Sequence, residues 1–285
     1  MELIRFFSTF ANDFNINFQK LISQVRRIYF ALLACMLLCI GCEWHLRPKD
    51  VQSSEDIEVE RYDRIQALYL TTGDRSALQQ LNTRYPEQTR LLLEDVLNIG
   101  VVNDPTINTK FFHFYQDSTL QLLIGEVEKQ FADMEDINRE LSAAFKELHK
   151  VLPDLPQPVV YTQIGALTQS VIVGDSTLGI SLDKYLGADY PLYSLYYPAQ
   201  QRRQMTRQMI VPDCIGFFVL SHYPMAENDT TMEARHRHMG KIQWLVNRVT
   251  HKHTFTNEYV KTVEQFMNRN KKWTIQQLLE NENKI

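Results

Sequence analysis

The chain has 285 residues, 34 acidic against 30 basic side chains, a formal net charge of −4 and 44% hydrophobic residues. An acidic chain without a basic block argues against nucleic acid as a partner. Cys35 and Cys39 lie inside a leading apolar run, Cys42 ends it, and Cys214 stands alone afterwards, which excludes an internal disulfide and a thiolate zinc cluster in the remainder.

Arg26 and Arg27 precede an apolar run over residues 28–42 that closes on Gly41-Cys42. Two arginines, a short apolar stretch, a small residue and a cysteine are the layout of a bacterial lipoprotein signal peptide. The run falls short of the roughly 20 residues a spanning helix needs. On this reading residues 1–41 are removed, Cys42 becomes the lipid-bearing first residue, and residues 42–58 form a tether. Removing 1–41 takes four basic residues (Arg5, Lys20, Arg26, Arg27) and two acidic ones (Glu2, Asp13), which moves the net charge to −6. A short anchor that is never cleaved is the alternative, since Cys39 occupies the position where lipoprotein signals prefer leucine. Phe6, Phe7, Phe10, Phe14 and Phe18 recur near helical spacing ahead of the arginines, as in an amphipathic helix on a membrane.

The remainder is long enough for one large domain or two small ones, and the expectation is a single domain over residues 59–285. Its first half, 59–152, is helical: residues 75–82, then 86–97 opened by Pro86, then 117–131. Ile137, Leu141, Ala144, Phe145, Leu148 and Leu152 repeat every three or four residues, a helix burying one stripe. Pro153, Pro156 and Pro158 then force extended chain.

The second half, 158–285, opens with β-branched strands at 159–162, 170–173 and 177–182, the last two joined by a Gly174-Asp175-Ser176 turn. Tyr185, Tyr190, Tyr193, Tyr196 and Tyr197 follow, able to line a groove but more commonly used for packing. Helices return at 212–220, 231–249, 257–268 and 275–280. Thr230 with Glu233, and Thr274 with Gln277, have capping-box spacing, and Trp273 is placed to staple onto Leu278. The second of these helices is expected to bury Met232, Met239, Ile242, Val246 and Val249, with His236 as a hydrogen-bonded core histidine. The expected class is α+β, helix-dominated, with a small antiparallel sheet in the second half.

The stretch Ser176-Thr-Leu-Gly-Ile-Ser-Leu-Asp-Lys-Tyr-Leu-Gly187, then Asp189-Tyr190-Pro191 and Ile210-Val211-Pro212-Asp213, resembles the GldB gliding-motility lipoprotein family of Bacteroidetes. Val59-Glu60-Arg61-Tyr62-Asp63 and Leu152-Pro153-Asp154 match as well, whereas the likeness degrades after Asp213. The resemblance implies an outer-membrane or periplasmic lipoprotein, a fold related to zinc peptidases, and a role in envelope assembly linked to gliding and secretion.

A zinc peptidase of that kind needs His-Glu-x-x-His on one helix, two ligands and a base. The chain has no such motif; Phe218 and Val219 stand where a ligand and the base would be, ahead of His222. Cys214 sits in an apolar helix where an inert thiol is expected, and no nucleophile elbow or phosphate loop is present. The expectation is therefore a non-enzymatic, lipid-anchored envelope protein that binds partner proteins, without metal or cofactor. Asp183, Tyr185, Tyr190 and Asp213 are its candidate binding residues, and the membrane is engaged through Cys42. Residues after Cys42 lack the acidic-rich motif that resembles a Bacteroidetes surface-export signal, which favours the periplasmic face. The competing expectation is a metallopeptidase-like hydrolase with atypical ligands among His222, His236, Asp213 and Glu233.

Overall fold

Side chains that close helix ends set the boundaries of the first half. The computed structural model describes residues 56–225 and 231–281. The leading segment 1–41, Cys42, the tether up to residue 55 and Thr230 lie outside the described residues. Helix α1 (Tyr62–Thr72) stops at Gly73, whose φ of 70° returns its N–H to the Tyr69 carbonyl. Helix α2 (Arg75–Thr83) starts from Asp74, which accepts the Ala77 N–H. Helix α3 (Pro86–Arg90) has its proline in the first turn and continues as a π-helical segment, Leu91–Val96, within the stretch read as one helix. Helices α4 (Ile107–Phe114), α5 (Ser118–Gln130, capped by Asp117) and α6 (Glu135–Val151) follow. Ile137, Leu141, Ala144, Phe145 and Leu148 of α6 are all buried, the stripe its periodicity predicts.

The strands are β1 (Val159–Gln163), β2 (Val171–Val173) and β3 (Thr177–Ser181), in the order β1-β3-β2. The sheet differs in one respect from the antiparallel one expected. The β2–β3 hairpin is antiparallel, but β1 runs parallel to β3 with Val159 opposite Thr177, so the sheet is mixed. The chain leaving β1 passes through loop 164–170 and then the hairpin before β3 can pair with β1, a pairing that no local turn signals. Helix α1 packs on β1, and α9 (Ile210–His222) packs on β2, β3, α6 and α10 (Met232–Thr250). The surroundings of α9 explain why Ile210, Val211, Cys214, Ile215, Phe218 and Val219 are buried around so much of its circumference.

Two short helices, α7 (Tyr193–Tyr196) and α8 (Ala199–Arg202), carry the tyrosine-rich stretch, and α11 (Glu258–Arg269) and α12 (Ile275–Glu280) close the domain. Thr274 and Gln277 form both bonds of the expected capping box, while the Trp273 ring stands edge-on to Phe266. Helix α10 departs from expectation. Its cap is Thr231, whose hydroxyl accepts the Ala234 N–H. Met232 is 65% exposed and Met239 is exposed too, and the inward face instead carries Ala234, His238, Lys241, Ile242 and Leu245. His238 and Lys241 enter because their polar atoms find partners: the Tyr223 carbonyl at 2.9 Å for His238 and the Asn281 carbonyl for Lys241.

Candidate functional site

The segment after β3 folds back under the loop that leaves β1, and together they form a knot of buried polar groups. A short 3₁₀ turn, Leu182–Lys184, buries Asp183 completely. The Asp183 carboxylate accepts the Gly165 N–H at 2.7 Å and the Leu167 N–H at 2.6 Å. Ala166 and Leu167 between them have φ of 50° and 64°, conformations that cost side-chain-bearing residues energy unless the surroundings hold them. Gln66 of α1 adds a two-point clamp on Ile164, donating to its carbonyl at 2.9 Å and accepting its N–H at 2.8 Å. The Tyr115 hydroxyl donates to the same carbonyl.

Lys184 completes the knot. It is buried, donates to the Tyr197 hydroxyl at 2.8 Å and to the Leu167 carbonyl at 3.3 Å, and lies 4.2 Å from the Tyr197 ring centroid. Burial pushes the Asp183 carboxyl above its usual range against the pull of its backbone donors, and burial pushes the Lys184 amine down. The Tyr193 hydroxyl donates to the Asp183 carbonyl and accepts the Leu186 N–H at 2.9 Å.

A second pair lies next to it. The Tyr185 hydroxyl donates to Asp213 Oδ2 at 2.9 Å, joining the end of the 3₁₀ turn to the first turn of α9. Burial raises the Asp213 carboxyl to about 6 and raises the Tyr185 phenol well above its ordinary value. Cys214 beside them is fully buried, and burial raises its thiol, so it stays an uncharged core residue.

Of the four candidate binding residues, Asp183 and Tyr185 are interior groups with their polar atoms engaged, Asp183 on backbone N–H groups and Tyr185 on the Asp213 carboxylate. Tyr190 and Asp213 are half-buried; Tyr190 packs edge-on to Tyr193 at 5.1 Å. The tyrosine stretch mainly packs, with Tyr185 and Tyr193 buried and Tyr196 alone of the five 64% exposed. Gln66, Tyr115 and Lys184 escaped the sequence reading, and Tyr197 stood in it only as one of five tyrosines that pack or line a groove. Lys184 had a local signal, since it sits inside the Leu-Asp-Lys-Tyr run, but nothing along the chain links Gln66 or Tyr115 to residue 164.

Val59-Glu60-Arg61-Tyr62-Asp63 is structural in the same way. Arg61 forks onto Asp63 at 2.9 and 2.8 Å and reaches the Phe131 carbonyl, while Asp63 accepts the Thr162 hydroxyl. One pair of acidic and basic residues thereby ties the entry of the domain to β1 and to the end of α5.

The atypical ligand set for a hydrolase does not converge. Asp213 and His222 stand nine residues apart on α9, about half a turn out of phase. His236 is an exposed residue with its ring 5.4 Å from that of Tyr259, a correction to its expected place in the core, which His238 takes. Glu233 is exposed and paired with Arg237. Among the described residues no three His, Cys, Asp or Glu side chains gather where a metal ion could sit, so the donor set does not fit zinc.

No helix among the described residues is long and apolar enough to cross a membrane. Neither a curated protein nor a solved structure matches the chain. The family model described as gliding motility protein GldB matches residues 45–258, from just after Cys42 through to the start of α11. The chain therefore belongs to the GldB family of gliding-motility lipoproteins.

Proposed function

We propose that the chain is a lipid-anchored protein of the cell envelope that binds partner proteins and catalyses no reaction. The family match carries this reading, because it begins three residues past Cys42, where the lipid-bearing cysteine of a lipoprotein would put the start of the mature chain. The lipid on Cys42 engages the membrane, and the periplasmic face is favoured. The polar residues of the shared block support a binding role over a catalytic one, since Asp183, Tyr185 and Lys184 are spent on holding loop 164–168 and the first turn of α9.

The surface beside that rigid base suits protein recognition. Tyr190 is half-buried next to α7, where Leu195 is 73% exposed and Tyr196 nearly as open. Aromatic and aliphatic groups presented from a rigid support are the usual anchors of protein interfaces. A photoreactive amino acid at position 196, in cells that carry the protein, tests the reading. Discrete adducts with envelope proteins that vanish in a Leu195→Asp variant are expected. Adducts no more abundant than those from a probe at exposed Val101 would overturn it.

A further inference from the structure

Where α10 passes into α11, aromatic and basic side chains enclose a groove of about 730 Å³. Its floor is apolar, made of Trp244, Phe255 and Val260. Its rim is cationic. Arg248 lies 5.6 Å from the Trp244 ring centroid, and Lys252, Lys261, His251 and His253 also line the groove. Three carboxylates face these groups, one of them Glu147 of α6 beside His251. Glu264 accepts the Trp244 indole N–H, and Glu140 of α6 holds Lys252 at 2.6 Å. Arg248 and Lys261 are exposed and make no ion pair among the described residues.

The groove is built before any ligand arrives. The Asn247 side chain donates to the Phe255 carbonyl at 2.7 Å and accepts the Phe255 N–H at 3.0 Å, which fixes the loop bearing Lys252 and His253. His251 caps α10 in the left-handed region, with φ of 53°. Exposed, unpaired cations over an apolar floor match an anion attached to an apolar body. A guanidinium and an ammonium suit phosphate oxygens in particular.

The course of the chain says where such an anion is found. The described domain begins at Asp56, which pairs with Lys146 at 2.5 Å, and the next residues run along α6 through Ile57 N–H to Ser142 and Val59 N–H to Asn138. Glu140, which holds the groove's loop through Lys252, leaves α6 on the side away from Ser142 and Asn138. The fourteen residues from Cys42 to Asp56 span at most about 50 Å. A chain of that length keeps the domain within about 50 Å of whatever membrane holds Cys42.

We propose that this groove binds the phosphate of an anionic phospholipid headgroup in the membrane that carries the anchor, so that the domain lies against the bilayer through α10 and α11. The proposal rests on the anchored reading of Cys42. Amide hydrogen exchange of the full chain tests it, in nanodiscs of phosphatidylcholine alone and in discs that also contain phosphatidylglycerol. Exchange over residues 247–261 slows in the anionic discs by about fivefold or more, the factor that one basic group at an anionic surface supplies. An Arg248→Ala, Lys261→Ala double variant loses that slowing while exchange in α6 stays as in the parent, which shows that it is folded. Equal exchange in the two kinds of disc would overturn the proposal. Equal slowing by inorganic phosphate with neutral discs would overturn the lipid assignment in favour of a free anion. Retention of the chain on neutral discs reports the anchor separately, so failure of the anchor is not read as failure of the groove.

Discussion

Asp183 and Asp213 sit thirty residues apart in sequence and show how one residue type serves two purposes. Asp183 spends both oxygens on backbone N–H groups of a loop held at positive φ. An Asp183→Ala variant leaves those donors buried without a partner, and a loss of about 2–4 kcal/mol in urea-unfolding stability is expected. Asp213 has its carboxyl raised by burial to about 6, so the folded state holds the proton more tightly than the unfolded chain does. Its contribution is fully present below about pH 4 and is lost as pH rises through 6. Urea unfolding from pH 4 to pH 7 is expected to show that decline in the parent, worth up to about 3 kcal/mol and less where water reaches the carboxyl. Asp213→Asn is expected to remove it; an unchanged pH profile in the variant would show that Asp213 does not titrate there. Both residues stood out in the sequence, but their roles did not. Whether an aspartate faces solvent or a loop eighteen residues upstream depends on contacts the local sequence does not carry.

Elements were legible where a local pattern decides them. The α6 stripe, the β2–β3 turn and the Thr274–Gln277 capping box follow from spacing alone. The parallel pairing of β1 with β3 and the inward face of α10 do not. On α10, hydrophobicity favours Met232 and Met239, yet His238 and Lys241 go inside because distant carbonyls satisfy them. Two glycines test the packing of elements. A Cβ on Gly179 of β3 would stand 2.5 Å from the hydroxyl of buried Tyr161, so Gly179→Ala is expected to cost about 3 kcal/mol or more. A Cβ on Gly125 of α5 meets nothing within 4 Å, so Gly125→Ala is expected to stabilise by about 0.5–1 kcal/mol. Thermal unfolding of both variants checks the pair, and equal effects would mean that β1 and β3 are not packed as described.

At the scale of the whole molecule, the order of segments carried more than any one motif. LGISLDKYLG, then YP, then IVPD pointed to the family, and the family model covers them. What the segments do was hidden, because their polar residues hold the domain together from inside. The described residues bring together no donor set for zinc, so the full chain after mild chelation is expected to retain well below one zinc per molecule. Stoichiometric zinc that disappears in a His236→Ala variant would restore the hydrolase reading. Anchoring through Cys42 is the claim on which the location and the membrane-facing groove both depend. Palmitate labelling of cells expressing the parent or a Cys42→Ser variant tests it most directly. The parent takes up label and runs as a shortened chain, while the variant is unlabelled and stays at precursor size. An unlabelled parent, or label that persists in the variant, would contradict the account.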